Sequence, residues 1–347
     1  MPQAVVLTQP RTIAIEPYAL RAPNEGEVLV RTLYSGISAG TELAAYRGSS
    51  PHLHKRYDAA QRLFLPSEAG RPIYPLDTWG YEEVGEVVAI GSGVTAVQVG
   101  DIVFGTWGHR THHLATEAYL QPRILPQGLD PRLGIFSHIG PIALNGVHDA
   151  SPLIGEAVVV FGLGVLGQVV AQLARGSGAH VIGVDLVQKR LELARAAGAV
   201  DLALDPAEGS PAERIKALTA GRGADVVIEV SGATAALHEA IRAVGYSGRV
   251  VAMGFFQGEA RGLFLGEEFH HNRVTLLCSQ ISGVAPERSY RWDRLRLVET
   301  TMRLQVAGVL NLAPLITHTF PFEQAAEAFR LLDESPADAL QVVLDFT

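Results

Sequence analysis

The sequence predicts an α/β protein in two parts: a β-rich first region, then a doubly wound parallel sheet with helices on both faces. Three observations carry this. Before about residue 120, short alternating segments are separated by Pro, Gly and Asn. From about residue 155, short apolar β-branched runs alternate with helical stretches. One strand-to-helix junction carries Gly162, Gly164 and Gly167 at the spacing G-x-G-x-x-G.

The alternating segments of the first region are AVVLTQ (4–9), RTIAIE (11–16), EVLVRTLYSG (27–36), EEVGEVVAIG (82–91) and GDIVFGTW (100–107). Short connections between them suggest a compact, partly closed barrel. The stretch from Tyr46 to Asp77 breaks the pattern. It is polar, has no clear period and carries His52, His54, Lys55 and Arg56. It reads as a surface loop, with an insertion bordering a site as the alternative. In the second part, strands are expected over 157–161, 180–184, 225–230 and 249–254, and near 274–280. Helices are expected over 165–176, 188–198, 211–219 and 234–244. Near the end, PFEQAAEAFRLLDE places Phe322, Ala326, Phe329 and Leu332 on one helical face, and ALQVVLDF reads as a strand returning to the first region. The expected domains are therefore 1–138, completed by 310–347, and 139–309.

Bulk properties narrow the functional classes. The chain has 347 residues, 48% of them hydrophobic and 18% charged, which suits two folded domains. A net charge of −8 argues against nucleic acid or an anionic membrane as the main partner. No apolar run is long enough to span a bilayer. The N-terminal residues lack a basic segment followed by an apolar one, and the single cysteine, Cys278, excludes an internal disulfide. A cytoplasmic location is expected, with Cys278 as a small apolar residue in a buried strand.

The glycine turn is the sharpest local signal. Val158 to Phe161 is an apolar run of the kind a buried parallel strand needs. Gly162 permits a tight turn, Gly164 leaves room for a pyrophosphate, and Gly167 lets the helix pack close to the strand. The first helical residues, Val165 and Leu166, direct free N–H groups at the phosphates. His180 to Val184 is a second apolar run ending at Asp185, whose carboxylate can accept both ribose hydroxyls of an adenosine. That acid favours NAD(H) over its 2′-phosphorylated form. Lys189 and Arg190 follow closely, either as phosphate partners or as the solvated first turn of a helix. Ser231 and Gly232, at the carboxyl end of the 225–230 strand, fall where ligands gather in such sheets.

The chain resembles the medium-chain dehydrogenase/reductase superfamily. The matching segments, in order, are SGISAGTEL (35–43), GYEEVGEVVAIGSGV (80–94), VGDIVFG (99–105), VVVFGLGVLG (158–167) and PLITHTFPFEQAAEAF (314–329). The runs G-I-S-A-G-T-E and GTWGHRTHHLA are similar to a branch that includes bacteriochlorophyllide hydroxyethyl dehydrogenases and related polyol dehydrogenases. The resemblance implies a GroES-like β-barrel catalytic domain and a Rossmann cofactor domain. It also implies hydride transfer between NAD(H) and an alcohol or ketone. A homodimer or homotetramer pairing through Val274–Ser279 is implied too, as are nicotinamide contacts from Asn272, Arg273 and 279–283.

The departures from that family matter as much. Zinc-dependent members hold their metal with a cysteine, a histidine and a third ligand. Here Ala39 stands in place of the cysteine, Tyr81 in place of the histidine, and the third position falls at His138. The four-cysteine lobe of many relatives is absent. Alanine has no lone pair and a neutral phenol binds zinc poorly, so a metal-free enzyme is expected. The minority alternative is a site rebuilt from His138, Glu82 or Glu42.

Without zinc, hydrogen-bond donors must stabilise charge on the reacting oxygen, and a base must handle its proton. The expected catalytic residues are Thr41, Tyr81, Glu82 and His138, with Trp107 and His109 bordering the substrate. His112 and His113 point to opposite faces of a strand and are read as structural. The leading expectation is an NAD(H)-dependent alcohol dehydrogenase or ketone reductase acting on a secondary carbinol. The alternatives are a zinc polyol dehydrogenase with atypical ligands, an enone or quinone reductase, and a non-enzymatic NADH sensor.

Overall fold

The computed structural model describes residues 1–53, 55–66 and 74–347. The chain divides into two compact units: Met1–His138 with Leu315–Thr347, and Ile139–Pro314. The second crossover falls slightly later than the expected 309/310.

The first unit begins with the antiparallel pair β1 (Gln3–Gln9) and β2 (Thr12–Pro17). The long strand β3 (Glu27–Ile37) leads into the short helix α1 (Thr41–Arg47). A hairpin follows, β4 (Lys55–Asp58) with β5 (Leu63–Pro66), then β6 (Glu83–Ile90), β7 (Ile102–Gly105), β8 (His112–Thr116) and α2 (Glu117–Leu120).

In the second unit the helix α3 (Ile139–Ala150) precedes β9 (Ala157–Phe161), α4 (Val165–Gly176), β10 (His180–Val184) and α5 (Gln188–Ala196). Then come β11 (Leu202–Leu204), α6 (Pro211–Leu218), β12 (Ala224–Glu229), α7 (Thr234–Ala243), β13 (Val244–Ala252), β14 (Thr275–Cys278) and α8 (Arg294–Val306). The chain returns to the first unit with β15 (Ile316–Pro321), α9 (Ala325–Glu334) and β16 (Gln341–Asp345).

The sheet of the second unit is parallel throughout, in the order β11-β10-β9-β12-β13-β14. The order reverses between β9 and β12, so their carboxyl ends open a crevice. Val158, Val159 and Val160 are fully buried in β9, as a central strand covered on both faces requires. Val159 and Phe161 share a core with Ile182, Val184, and the helical residues Ala212, Ile215, Leu237 and Ile241. Each such aliphatic side chain contributes about 1.5–3 kcal/mol through burial.

In the first unit the main sheet runs β15-β16-β3-β6-β7, with β8 also paired to β3. β3 can serve three partners because it is 11 residues long: its first half meets β8, its second half β16, and most of its length β6. The core above it gathers Val5, Leu7, Ile37, Leu43, Trp79, Phe329 and Leu344, with Trp79 stacked on Phe329 at 4.6 Å.

Several expectations differ from the structure. Ala326 is exposed, and the buried face of α9 is Ala325, Ala328, Phe329 and Leu332. The reason is register: Phe322 belongs to a separate 3-10 turn, so the α-helical count restarts at Ala325. Cys278 is exposed, because β14 is the edge strand of its sheet. The stretch 46–77, expected as a loop, contains the β4–β5 hairpin. His54 and residues 67–73 lie outside the described residues. No helix is long and apolar enough to cross a membrane among the described residues.

Candidate active site and cofactor cradle

The cofactor cradle belongs to the second unit and is made of backbone. Gly162 has φ +91°, a left-handed value that costs glycine nothing, and a Cβ there would sit 2.9 Å from Ser231. Gly164 is the N-cap of α4 with open space around it, and no side chain caps the helix. The first N–H groups of α4, from Val165 and Leu166 onward, are therefore available to an anion. A Cβ on Gly167 would lie 1.8 Å from the Gly162 carbonyl oxygen, so only glycine lets the helix start this close to the strand.

Asp185 is 8% exposed at the end of β10. Its Oδ2 accepts the Leu163 N–H at 2.6 Å and its Oδ1 accepts the Val187 N–H at 2.8 Å. These bonds fix the carboxylate beside the glycine turn and leave lone pairs for two hydroxyls. Arg190 lies 3.8 Å from that same carboxylate, while Lys189 is exposed.

Two supporting residues escaped the sequence reading. Gln168 donates to the carbonyls of Leu163 (3.2 Å) and Arg190 (2.9 Å), tying the glycine turn to α5. Glu229, fully buried at the end of β12, accepts the N–H groups of Ser231 (2.8 Å) and Gly232 (3.2 Å) and the Ser231 hydroxyl. Burial raises its pKa, while those donors oppose the shift. Glu229 thus holds the Ser231–Gly232 turn against Gly162. An acid closing an apolar strand just before Ser-Gly is the signal that could have found it. The residues present fit a dinucleotide: a glycine cradle, an uncapped helix start and a ribose-binding acid.

The first unit holds a second constellation, built from side chains. Tyr81 is half-buried, and its phenol donates to Ser38 Oγ at 2.5 Å. Thr41, the exposed first residue of α1, also hydrogen-bonds it. The Tyr81 and His138 rings lie 4.3 Å apart, centroid to centroid. Burial raises the phenol's pKa, and the Glu42 and Glu82 carboxylates raise it further. At neutral pH Tyr81 is therefore a hydrogen-bond donor and not a phenolate. Glu82 is 1% exposed and accepts Gln341 Nε2 at 3.2 Å. Its pKa stands well above the usual carboxylate range because of burial and the charges of Glu42 and Glu83. Thr41, Tyr81, Glu82 and His138 thus share one unit, with Tyr81 in contact with both Ser38 and His138.

The structure corrects the expected substrate-facing roles of Trp107 and His109. Trp107 is 3% exposed, sits in the core with Val28 and Val103, and donates its indole N–H to Thr32 Oγ1 at 2.9 Å. His109 is 2% exposed, with Nε2 2.7 Å from Glu42 Oε2 and Nδ1 2.7 Å from Ser35 Oγ. Both ring nitrogens are engaged inside the unit, so neither faces a substrate. His113 stacks on Trp107, and burial then Arg110 depress its pKa to about 4.

The donor set around Tyr81 does not fit a tetrahedral zinc. Ala39 offers no ligand, the Tyr81 phenol is held protonated, and Glu42 is committed to His109 and to the Ser38 N–H at 3.1 Å. Among the described residues, no group of three or more His, Cys, Asp or Glu side chains is placed to hold a metal ion.

A parallel sheet with a glycine turn that fits a dinucleotide, in a chain that also carries a mainly antiparallel unit with a buried polar cluster, is the architecture of a dehydrogenase. Comparison with known proteins makes this specific. Residues 165–297 match the family model for zinc-binding dehydrogenases. The chain is 33% identical over 350 aligned positions, covering 99% of both chains, to D-guloside 3-dehydrogenase of Escherichia coli K12. It is 32% identical to L-threonine 3-dehydrogenase of Saccharopolyspora erythraea, over 77% of this chain and 82% of that one. Among solved structures, 2R,3R-butanediol dehydrogenase from Bacillus subtilis shares the fold at a TM-score of 0.79, 20% identity and full coverage of both chains. The chain belongs to the zinc-binding dehydrogenase family of medium-chain type, whose members act on alcohols and ketones.

Proposed function

We propose that the protein interconverts a secondary alcohol and a ketone with NAD(H), without a catalytic zinc. The Tyr81 phenol carries this reading: it is kept protonated and fixed by Ser38, in a chain where Ala39 and Tyr81 stand in place of two metal ligands of the zinc-dependent members. NAD(H), when bound, takes up or delivers the hydride. Gly162, Gly164, Val165, Leu166 and Gly167 would hold its pyrophosphate, Asp185 its adenosine ribose, and Ser231 with Gly232 the crevice wall. Asp185 would repel a 2′-phosphate, which favours NAD(H) over the phosphorylated cofactor.

In this scheme Tyr81 stabilises negative charge on the reacting oxygen. Hydroxyl hydrogens rotate, so Tyr81 turns its proton to that oxygen while accepting one from Ser38. Thr41 is a second hydroxyl at the rim, and His138 is placed to exchange a proton with the site. The substrate we infer is polyhydroxylated, supported by the identity to a sugar 3-dehydrogenase across the whole chain. The finer likeness to bacteriochlorophyllide-type dehydrogenases rests on the runs G-I-S-A-G-T-E and GTWGHRTHHLA. Pairing of two copies through the edge strand β14 belongs to the same proposal, supported by its place at the sheet margin.

The test is a panel of glycosides, polyols and their ketones with NADH, NAD and the phosphorylated cofactors, run beside metal analysis of the purified protein. Turnover of a secondary carbinol with NAD by metal-free protein is expected. Near one zinc per chain, with activity lost on chelation, would return the chain to metal chemistry. NADPH-driven reduction of enones alone would replace the carbinol reading.

A further inference from the structure

Behind Tyr81 lies a line of buried polar groups that the scheme above does not use. Glu42 stands on α1, His109 on the loop after β7, Ser35 on β3 and Glu83 on β6. All four are buried, at 3%, 2%, 0% and 0% exposure. The contacts run without a gap: Glu42 Oε2 to His109 Nε2 at 2.7 Å, His109 Nδ1 to Ser35 Oγ at 2.7 Å, and Ser35 Oγ to Glu83 Oε1 at 3.2 Å. Glu83 also accepts the Trp107 N–H at 2.6 Å and the Glu82 N–H at 3.2 Å. Glu42 Oε1 accepts the Ser38 N–H at 3.1 Å, and Ser38 accepts the Tyr81 phenol. The front of the line therefore ends on the residue that holds the proposed catalytic hydroxyl.

The other groups packed on His109 are Trp79, edge-on at 5.6 Å, and Phe329 of α9, edge-on at 5.8 Å. Neither ionises. Among the described residues, the charges that act on it are thus Glu42 and Glu83, with Glu82 beside Glu83. An imidazolium donates from both nitrogens, one hydrogen to Glu42 and one to Ser35, and leaves the Ser35 hydrogen for Glu83. A neutral ring satisfies only one of these bonds as donor. Buried carboxylates need such partners, so two acids and one cation form a mutually dependent set.

We propose that Glu42, His109, Ser35 and Glu83 form a buried positioning relay that fixes Ser38 and couples the charge on Glu83 to the Tyr81 phenol. This rests on the reading of Tyr81 as the donor to the reacting oxygen. The groups themselves support it. Burial pushes Glu83 up to about 7, against the lowering pull of His109 and the Trp107 N–H. Burial alone would lower His109, but the Glu42 and Glu83 carboxylates reverse this and raise it. The line therefore gains one negative charge close to neutrality. That charge makes Tyr81 a poorer hydrogen-bond donor, so ketone reduction weakens as pH rises through this range.

The test uses the full chain labelled with 13Cζ-tyrosine and 15N-histidine, with Tyr81→Phe assigning the tyrosine signal. In the wild type the Tyr81 signal is expected to move with a midpoint near pH 7, and His109 to show imidazolium shifts there. Ser35→Ala breaks the link, and Glu83→Gln removes the titrating group. Both are expected to abolish the Tyr81 movement. Both should also remove the neutral limb from the pH profile of kcat, measured with the carbinol and ketone that the panel identifies. A Tyr81 signal flat from pH 6 to 8.5, a neutral His109, or an unchanged midpoint in Glu83→Gln would overturn the relay. The wild-type spectra decide this even where a variant does not fold. If Tyr81→Phe keeps full activity while the wild-type signal still titrates, the catalytic reading fails and the relay stands as a coupling. If Tyr81→Phe is inactive and the signal is flat, the relay alone fails.

Discussion

The two sites are built by opposite means. The cradle of the second unit is mainly backbone shaped by missing side chains, and its glycine turn, helix start and acid lie on contiguous elements from β9 to α5. The cluster of the first unit is side chains brought together from four elements, with partners 48, 67 and 74 positions apart in sequence. One site tolerates no added atom at Gly167, where the close approach is to backbone. The other tolerates no lost partner, because each buried polar group relies on the next. Substitutions in the cradle should act through sterics and cofactor affinity, and those in the cluster through protonation and rate.

The largest expected effect is on rate. Tyr81→Phe keeps the ring and removes the donor, and kcat should fall about 10²–10³-fold, the cost of losing one preorganised donor. NADH affinity, read by fluorescence titration, should not move, since the cradle lies in the other unit. A drop in affinity instead would dissolve the division of labour. Gly167→Ala should cost about 3 kcal/mol of unfolding free energy in urea, because the new Cβ meets the Gly162 carbonyl oxygen at 1.8 Å and no side chain can yield. Near-native stability would mean that the turn relaxes.

Glu83 supplies the pH arm of the comparison. Its folded value is raised from 4.5 to about 7, so the native state holds a proton that the unfolded state has lost in that window. Stability therefore falls as pH rises from about 4.5 to 7, and levels off above it for this group. Glu83→Gln should flatten the fall by on the order of 3 kcal/mol, followed by thermal unfolding across that range. A fall of the same depth would place the titration elsewhere.

Asp185→Asn should weaken NADH binding about tenfold or more, the loss of charge-assisted bonds to ribose, and narrow the preference over NADPH. Gly164→Ala is the smallest change to stability, within about 0.5 kcal/mol, because open space surrounds the new methyl. It should nevertheless obstruct a pyrophosphate. Cofactor affinity lost with stability intact is what distinguishes this glycine from Gly167, only three positions along the same turn.

This contrast also explains what could be read from the sequence. The strands at 157–161 and 180–184, the helix at 165–176 and the glycine spacing are local patterns, and they occur where expected. The substitutions Ala39 and Tyr81 were equally visible as single letters in a motif. The role of His109 was not. Three histidines between Gly108 and Leu114 give no hint of which turns inward, and its partners Glu42 and Ser35 become neighbours only once β3, α1 and β6 are packed. The short helix α1 carries seven residues, too few for a helical period to stand out. The shift from Ala326 to Ala325 on the buried face of α9 shows the same limit: a 3-10 turn before a helix changes which residues face inward without changing the composition.

The position of β16 between β15 and β3 carries a consequence for synthesis. Its residues Val342, Val343 and Leu344 are fully buried, and they pair with residues 35–37 of β3. Residues 1–138 therefore leave the ribosome lacking an interior strand of their own sheet, while the second unit, contiguous from 139 to 314, emerges before that strand. Assembly runs counter to the order of translation: the second unit can mature first, while the first unit stays unfinished until residues 341–345 have emerged.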